Sequence, residues 1–94
     1  MKNTVRKHEF TGNLTLLASF SYSGLQALFD YFEELEEQMG EELEFDPIAL
    51  RGEFADYSSF EEVKGDYPEI RDLEDLHDQT TVIAHERGLI IQQF

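Results

Sequence analysis

Tyr22-Ser23-Gly24-Leu25-Gln26-Ala27-Leu28-Phe29-Asp30-Tyr31-Phe32-Glu33-Glu34-Leu35-Glu36-Glu37-Gln38-Met39 decides the fold, because it reads as one uninterrupted amphipathic helix. Leu25, Leu28, Phe29, Phe32, Leu35 and Met39 recur at helical spacing and form one apolar stripe. Asp30, Glu33, Glu34 and Glu37 fall opposite it, within about 100° of arc at 3.6 residues per turn. Ser21 stands where an N-cap is wanted, and Ser23 with Gln26 offers an alternative capping box. Gly40 supplies the C-terminal stop. Glu41 would join the acidic row if the helix ran past that glycine.

On the N-terminal side, Phe10, Leu14 and Leu17 sit at helical spacing and predict a short first helix from Thr4 to Leu17, weakened by Thr11 and Gly12. On the C-terminal side, Glu42 to Pro47 reads as an acidic link. Ile48, Leu50 and Phe54 alternate with Ala49, Arg51 and Glu53, which predicts a half-buried strand. Gly52 falls on the apolar register of that strand, as a bulge or a close approach by another element would require. Ser59 to Lys64 predicts a short helix, with Ser58 or Ser59 and Glu61 or Glu62 as its start signal, and Asp72 to His77 predicts one more helical turn.

Thr80–His85 and Leu89–Phe94 are rich in β-branched residues and are separated by Glu86-Arg87-Gly88, a hairpin signal. Phe94 reads as a packed or fraying strand end, or else as an anchor for a partner. The expected architecture is α+β in a single domain, residues 1–94. One long amphipathic acidic helix and short helices pack on a three-stranded antiparallel sheet.

The bulk numbers bound the function. The chain has 94 residues, a formal net charge of -14 and a sequence pI near 4.3. Its 40% hydrophobic and 13% aromatic content is that of a folding chain rather than a disordered acidic one. Ten acidic residues lie between His8 and Leu50 with no Lys or Arg among them. Nucleic acid and anionic membranes are poor partners for such a chain, because both need clustered Lys and Arg. The absence of Cys excludes disulfides, thiolate nucleophiles and zinc-thiolate sites. No apolar run approaches the roughly 20 residues that span a bilayer, and the expected address is the bacterial cytoplasm.

Chemistry-bearing motifs are absent. No segment has the calcium-loop spacing, and His8, His77 and His85 form no H-x-x-x-H pair. No G-x-S-x-G elbow, P-loop or G-x-G-x-x-G occurs. The expectation is a binding protein, not an enzyme, with no cofactor, no metal and no catalytic residue.

The acidic helix face has two readings. One is a solvated surface that keeps the protein soluble. The other rests on a length scale. Asp30, Glu33, Glu34, Glu36 and Glu37 span about 10 Å of helix rise, or about one charge every 2 Å. Duplex DNA carries one charge every 1.7 Å or so. A surface of that density suits a basic groove built for nucleic acid, with Asp30, Glu33, Glu34 and Glu37 as docking groups, Glu36 and Glu41 in support, and Tyr31 as an edge anchor. Asp66, Glu69, Asp72, Glu74, Asp75 and Asp78 form a second acidic cluster interrupted by Arg71. They read either as turn and cap formers or as a second patch.

Phe20 to Glu37, continued by Glu41-Glu42-Leu43-Glu44-Phe45-Asp46-Pro47-Ile48-Ala49-Leu50, Glu53-Phe54, Asp56-Tyr57, Thr80-Thr81-Val82-Ile83 and the Ile90-to-Phe94 ending, resembles a group of small acidic proteins carried by bacteriophages and prophages. The resemblance implies a phage setting. By analogy with small acidic phage proteins that copy DNA charge, it implies an anti-CRISPR or anti-restriction inhibitor of a host defence complex. The alternative is a phage accessory protein that binds a host or phage protein through an apolar or sheet-edge surface. Two features depart from a pure mimic: the chain is short, and Lys2, Arg6 and Lys7 make its N-terminus basic.

Overall fold

The structure is a computed structural model that describes residues 5–94. Its elements in chain order are helices α1 (Lys7–Thr11), α2 (Leu14–Leu17), α3 (Tyr22–Met39) and α4 (Pro47–Glu53), strand β1 (Phe54–Tyr57), helices α5 (Phe60–Asp66) and α6 (Leu73–Gln79), and strands β2 (Val82–His85) and β3 (Gly88–Gln92). The fold is α+β, as the hydrophobic pattern requires. Among the described residues, no helix is long and apolar enough to cross a membrane.

Local side chains start the helices where their first-turn amides need acceptors. Asn13 Oδ1 accepts from Leu16 N, Ser21 Oγ from Gly24 N and Asp46 Oδ1 from Ala49 N. Ser59 Oγ accepts from Glu62 N, and Asp72 Oδ1 from Asp75 N. Ser21 rather than Ser23 therefore caps α3, and Gly40 ends it at φ 70°, the left-handed conformation that a C-terminal stop needs.

Two expected elements are corrected. The predicted strand from Ile48 to Phe54 is instead helix α4, and β1 begins only at Phe54. The Asp46 cap and Pro47 in the first turn pre-organise a helix there, so Leu50 and Phe54 reach the core four residues apart while Ile48 is 71% exposed. Gly52 sits exposed in α4 with open space where a Cβ would be, so neither a bulge nor a close approach explains it. The predicted first helix divides into α1 and α2 at Gly12 and Asn13, and its start at Thr4 lies outside the described residues. Phe10 is fully buried, but Leu14 and Leu17 of the expected stripe face outward.

The sheet order is β1-β3-β2, antiparallel throughout. Successive side chains of central strand β3 enter different cores. Ile90 joins Phe10, Leu16, Leu25, Leu28, Phe29, Phe32, Phe54 and Ile83 under α3. Leu89 and Ile91 join Val63 of α5, Ile70 of the segment that follows it and Leu76 of α6 on the opposite face. The central strand is thus apolar on both sides, which explains the unbroken Leu89-Ile90-Ile91 run. Phe94 stacks on Tyr67 with ring centroids 4.5 Å apart, which ties the chain end to the second core.

Truncation at the centre should be costly and truncation at the rim should not. Ile90→Ala is expected to lower unfolding free energy by about 2–5 kcal/mol in urea titrations. Ile48→Ala should change it by less than about 0.5 kcal/mol.

Candidate functional site

Helix α3 carries two polar regions, one at each end. The C-terminal half bears the acidic row. Glu33, Glu34 and Glu37 are exposed along it, and Glu41 continues the row from beyond Gly40. Asp30, Glu33, Glu34, Glu36, Glu37, Glu41 and Glu42 line a shallow concavity of about 590 Å³. Glu41 joins the face even though the helix stops at Met39.

Predicted docking carboxylates are also engaged within the chain. Glu36 also lines the concavity, but it is only 9% exposed and its Oε2 accepts from Leu43 N, so it holds the segment after α3. Its angle on the helix is about 60° beyond the edge of the acidic arc, which accounts for the difference. Asp30 receives Lys7 Nζ at 3.0 and 3.2 Å on its two oxygens. Both partners of that ion pair are largely exposed, so it adds little stability, but it neutralises the N-terminal end of the row.

The second acidic cluster is partly spent on local structure. Asp72 caps α6, Asp75 accepts from Arg71 N at 3.0 Å, and Asp66 Oδ2 accepts from Tyr57 Oη at 2.8 Å. Burial, followed by the hydrogen bond to Asp66 and the charge on that carboxylate, raises the Tyr57 phenol well above its ordinary value. Among the described residues, no group of three or more His, Asp or Glu side chains is placed to hold a metal ion.

The N-terminal end of α3 holds a polar array that no sequence motif announced. Strand register builds it. Asp56 pairs with Ile90, and Ile83 pairs with Ile90 from the other side, so all three share the face under α3. His85 lies two residues beyond Ile83 and points the same way. His85 Nε2 lies 2.7 Å from Asp56 Oδ1, and His85 Nδ1 lies 3.0 Å from Ser23 Oγ. Asp56 Oδ2 accepts from both Ser21 N and Ser21 Oγ at 2.8 Å.

The ring and the carboxylate side chains are only 2% and 9% exposed. Arg87 N–H also faces Nδ1, at 3.3 Å. A backbone N–H can only donate, so the hydrogen-bond partners assign Nδ1 as the acceptor and place the ring proton on Nε2, toward the carboxylate. Ser23 then donates to Nδ1.

Gly24 makes this approach feasible. A Cβ there would lie 2.7 Å from Asp56 Oδ2 and 2.9 Å from Ser21 Oγ. A cavity of about 440 Å³ adjoins the array, with Ser21, Asp56, His85 and Arg87 in its wall. The sequence did carry a faint signal for His85, which is on the inward parity of the predicted strand with Ile83. Asp56 gave none, because the predicted strand ended at Phe54.

Asp56→Ala would leave two Ser21 donors and His85 Nε2–H without their acceptor. It should lower unfolding free energy by about 3 kcal/mol, at 1–3 kcal/mol or so for each orphaned buried donor. A loss below about 1 kcal/mol would show that the array does not hold α3 to the sheet. For Tyr57 the fold favours the neutral phenol. Stability is therefore present below the ordinary tyrosine value and is lost as pH rises from about 10 toward the raised folded value. Alkaline unfolding curves of Tyr57→Phe should lack that component.

No protein-family model, curated protein or solved structure matches the chain.

Proposed function

We propose that this protein is a phage-encoded inhibitor that docks its acidic α3 face into a basic, nucleic-acid-binding surface of a host defence complex, as an anti-CRISPR or anti-restriction protein would, in the bacterial cytoplasm. The observation that carries the reading is the exposed row of Glu33, Glu34, Glu37 and Glu41 around one shallow concavity. A row of like charges at helical spacing is locally unfavourable, since carboxylates four apart repel. An oppositely charged partner relieves that repulsion. The net charge of -14 steers encounter with such a partner and speeds association at low salt.

The docking set is narrower than the full list of carboxylates on the helix. Glu36 faces inward, and Asp30 already holds Lys7, so a partner's cation must compete for it. Three exposed carboxylates within about one helical turn suffice for a local block of a basic groove, not for a full duplex footprint.

A second reading has its own observation. Leu14 and Ile48, on the adjoining helices α2 and α4, are 84% and 71% exposed. An accessory protein that binds its partner through an apolar surface would use such residues.

The two readings separate on salt. The docking reading expects capture of a DNA-handling complex from host lysate, lost at high salt and competed by duplex DNA. The triple change Glu33→Lys, Glu34→Lys and Glu37→Lys should abolish that capture while circular dichroism stays native. Salt-resistant binding that survives the triple change but fails in Ile48→Asp would overturn it in favour of the apolar surface.

A further inference from the structure

We propose that Ser23 is an activated nucleophile, able to take an acyl group from a small uncharged carboxylic ester. The inference is independent of the docking reading: Ser23 is about 15 Å of helix rise from Glu33.

Three elements converge on it. Ser23 Oγ is 3.0 Å from His85 Nδ1, and His85 Nε2 is 2.7 Å from Asp56 Oδ1. This is the order of roles that nucleophilic acyl transfer needs: hydroxyl, base, and a carboxylate that orients the base. The two ring nitrogens exchange places relative to the familiar serine-protease arrangement, but the roles depend on geometry and not on which nitrogen serves.

The carboxylate is itself held in place by Ser21 N and Ser21 Oγ, so the ring has one orientation. The ring is buried while Ser23 is partly exposed, and the neighbouring residue, Tyr22, is 59% exposed. The base is thereby more shielded from bulk water than the residue that carries the nucleophile. Ser23 also sits in the first turn of α3, where its own N–H and that of Tyr22 have no acceptor within the helix.

The step balances without a further reactant. Ser23 Oγ bonds to the ester carbonyl carbon as its proton passes to His85 Nδ1. The carbon–oxygen bond to the leaving alcohol breaks, and His85 returns the proton to that oxygen. Water repeats the sequence, releasing the carboxylic acid and restoring Ser23. The negative field of the chain disfavours anionic esters, which selects an uncharged substrate.

The test uses the intact protein and an alkyl fluorophosphonate, which bonds phosphorus to an activated serine and expels fluoride. Mass spectrometry then maps the adduct. Exposed Ser19 serves as an internal standard in the same molecule. The expected result is a single adduct on Ser23, formed at least about 100-fold faster than any on Ser19, with p-nitrophenyl acetate hydrolysis that Ser23→Ala removes. Asp56→Asn, if it remains folded, should slow labelling at least about 10-fold. No adduct on Ser23, a Ser23 rate no greater than that of Ser19, or a folded Asp56→Asn that labels at the native rate would overturn the proposal. The Ser23-to-Ser19 ratio decides the matter even if the Asp56 variant unfolds.

Discussion

Leu89 and Ile91 leave central strand β3 toward one core and Ile90 leaves it toward the other, so the strand is buried on both sides. The rest of the molecule depends on covering those two faces. Helix α3 covers one with Leu25, Leu28, Phe29 and Phe32, and α5 and α6 cover the other with Val63 and Leu76. Each fully buried aliphatic or aromatic side chain contributes on the order of 1.5–3 kcal/mol relative to exposure. Several such groups on α3 together outweigh the repulsion among its carboxylates, at a few tenths of a kcal/mol per like-charged pair. That imbalance is why an unusually acidic helix remains a helix.

The same geometry gives α3 two unlike ends. At its start, Ser21 and Ser23 reach down to Asp56 and His85 on the sheet. At its finish, Glu36 turns inward to Leu43 N while its neighbours stay in solvent. Both ends use polar side chains, but to different effect. The buried array satisfies all its donors, consistent with the absence of unpartnered buried side-chain polar atoms among the described residues. The exposed row stays in solvent, with Lys7 on Asp30 at its N-terminal end.

Local chemistry was readable, and particular residues show where it failed. The apolar stripe and the Gly40 stop placed α3 at its observed limits. Ser59 and Asp72 announced α5 and α6, and the β-branched runs announced the β2–β3 hairpin. The stretch from Ile48 to Phe54 misled because apolar alternation and helical spacing both fit Leu50 and Phe54. The Asp46-Pro47 start signal was the better guide. Glu36 shares the concavity of the acidic face, and its bond to Leu43 N is a contact that helical periodicity does not show. The acidic residues after Tyr67 show the opposite economy, since Asp72 and Asp75 are used as caps before they can serve as surface charge.

By itself the sequence determined which segments are helix or strand over most of the chain, the α+β class and the sign of the field around the protein. Periodicity, caps and net charge are local or additive properties, and they survive without knowledge of the fold. Only the tertiary structure decided that Ser23, Asp56 and His85 meet. They lie 62 and 29 positions apart along the two hydrogen-bonded pairs. Their meeting follows from strand register and from the parity that turns Asp56, Ile83 and His85 toward one face. Register is fixed by burying Leu89, Ile90 and Ile91 on opposite sides of one strand, a cooperative constraint that no short stretch of the chain encodes alone.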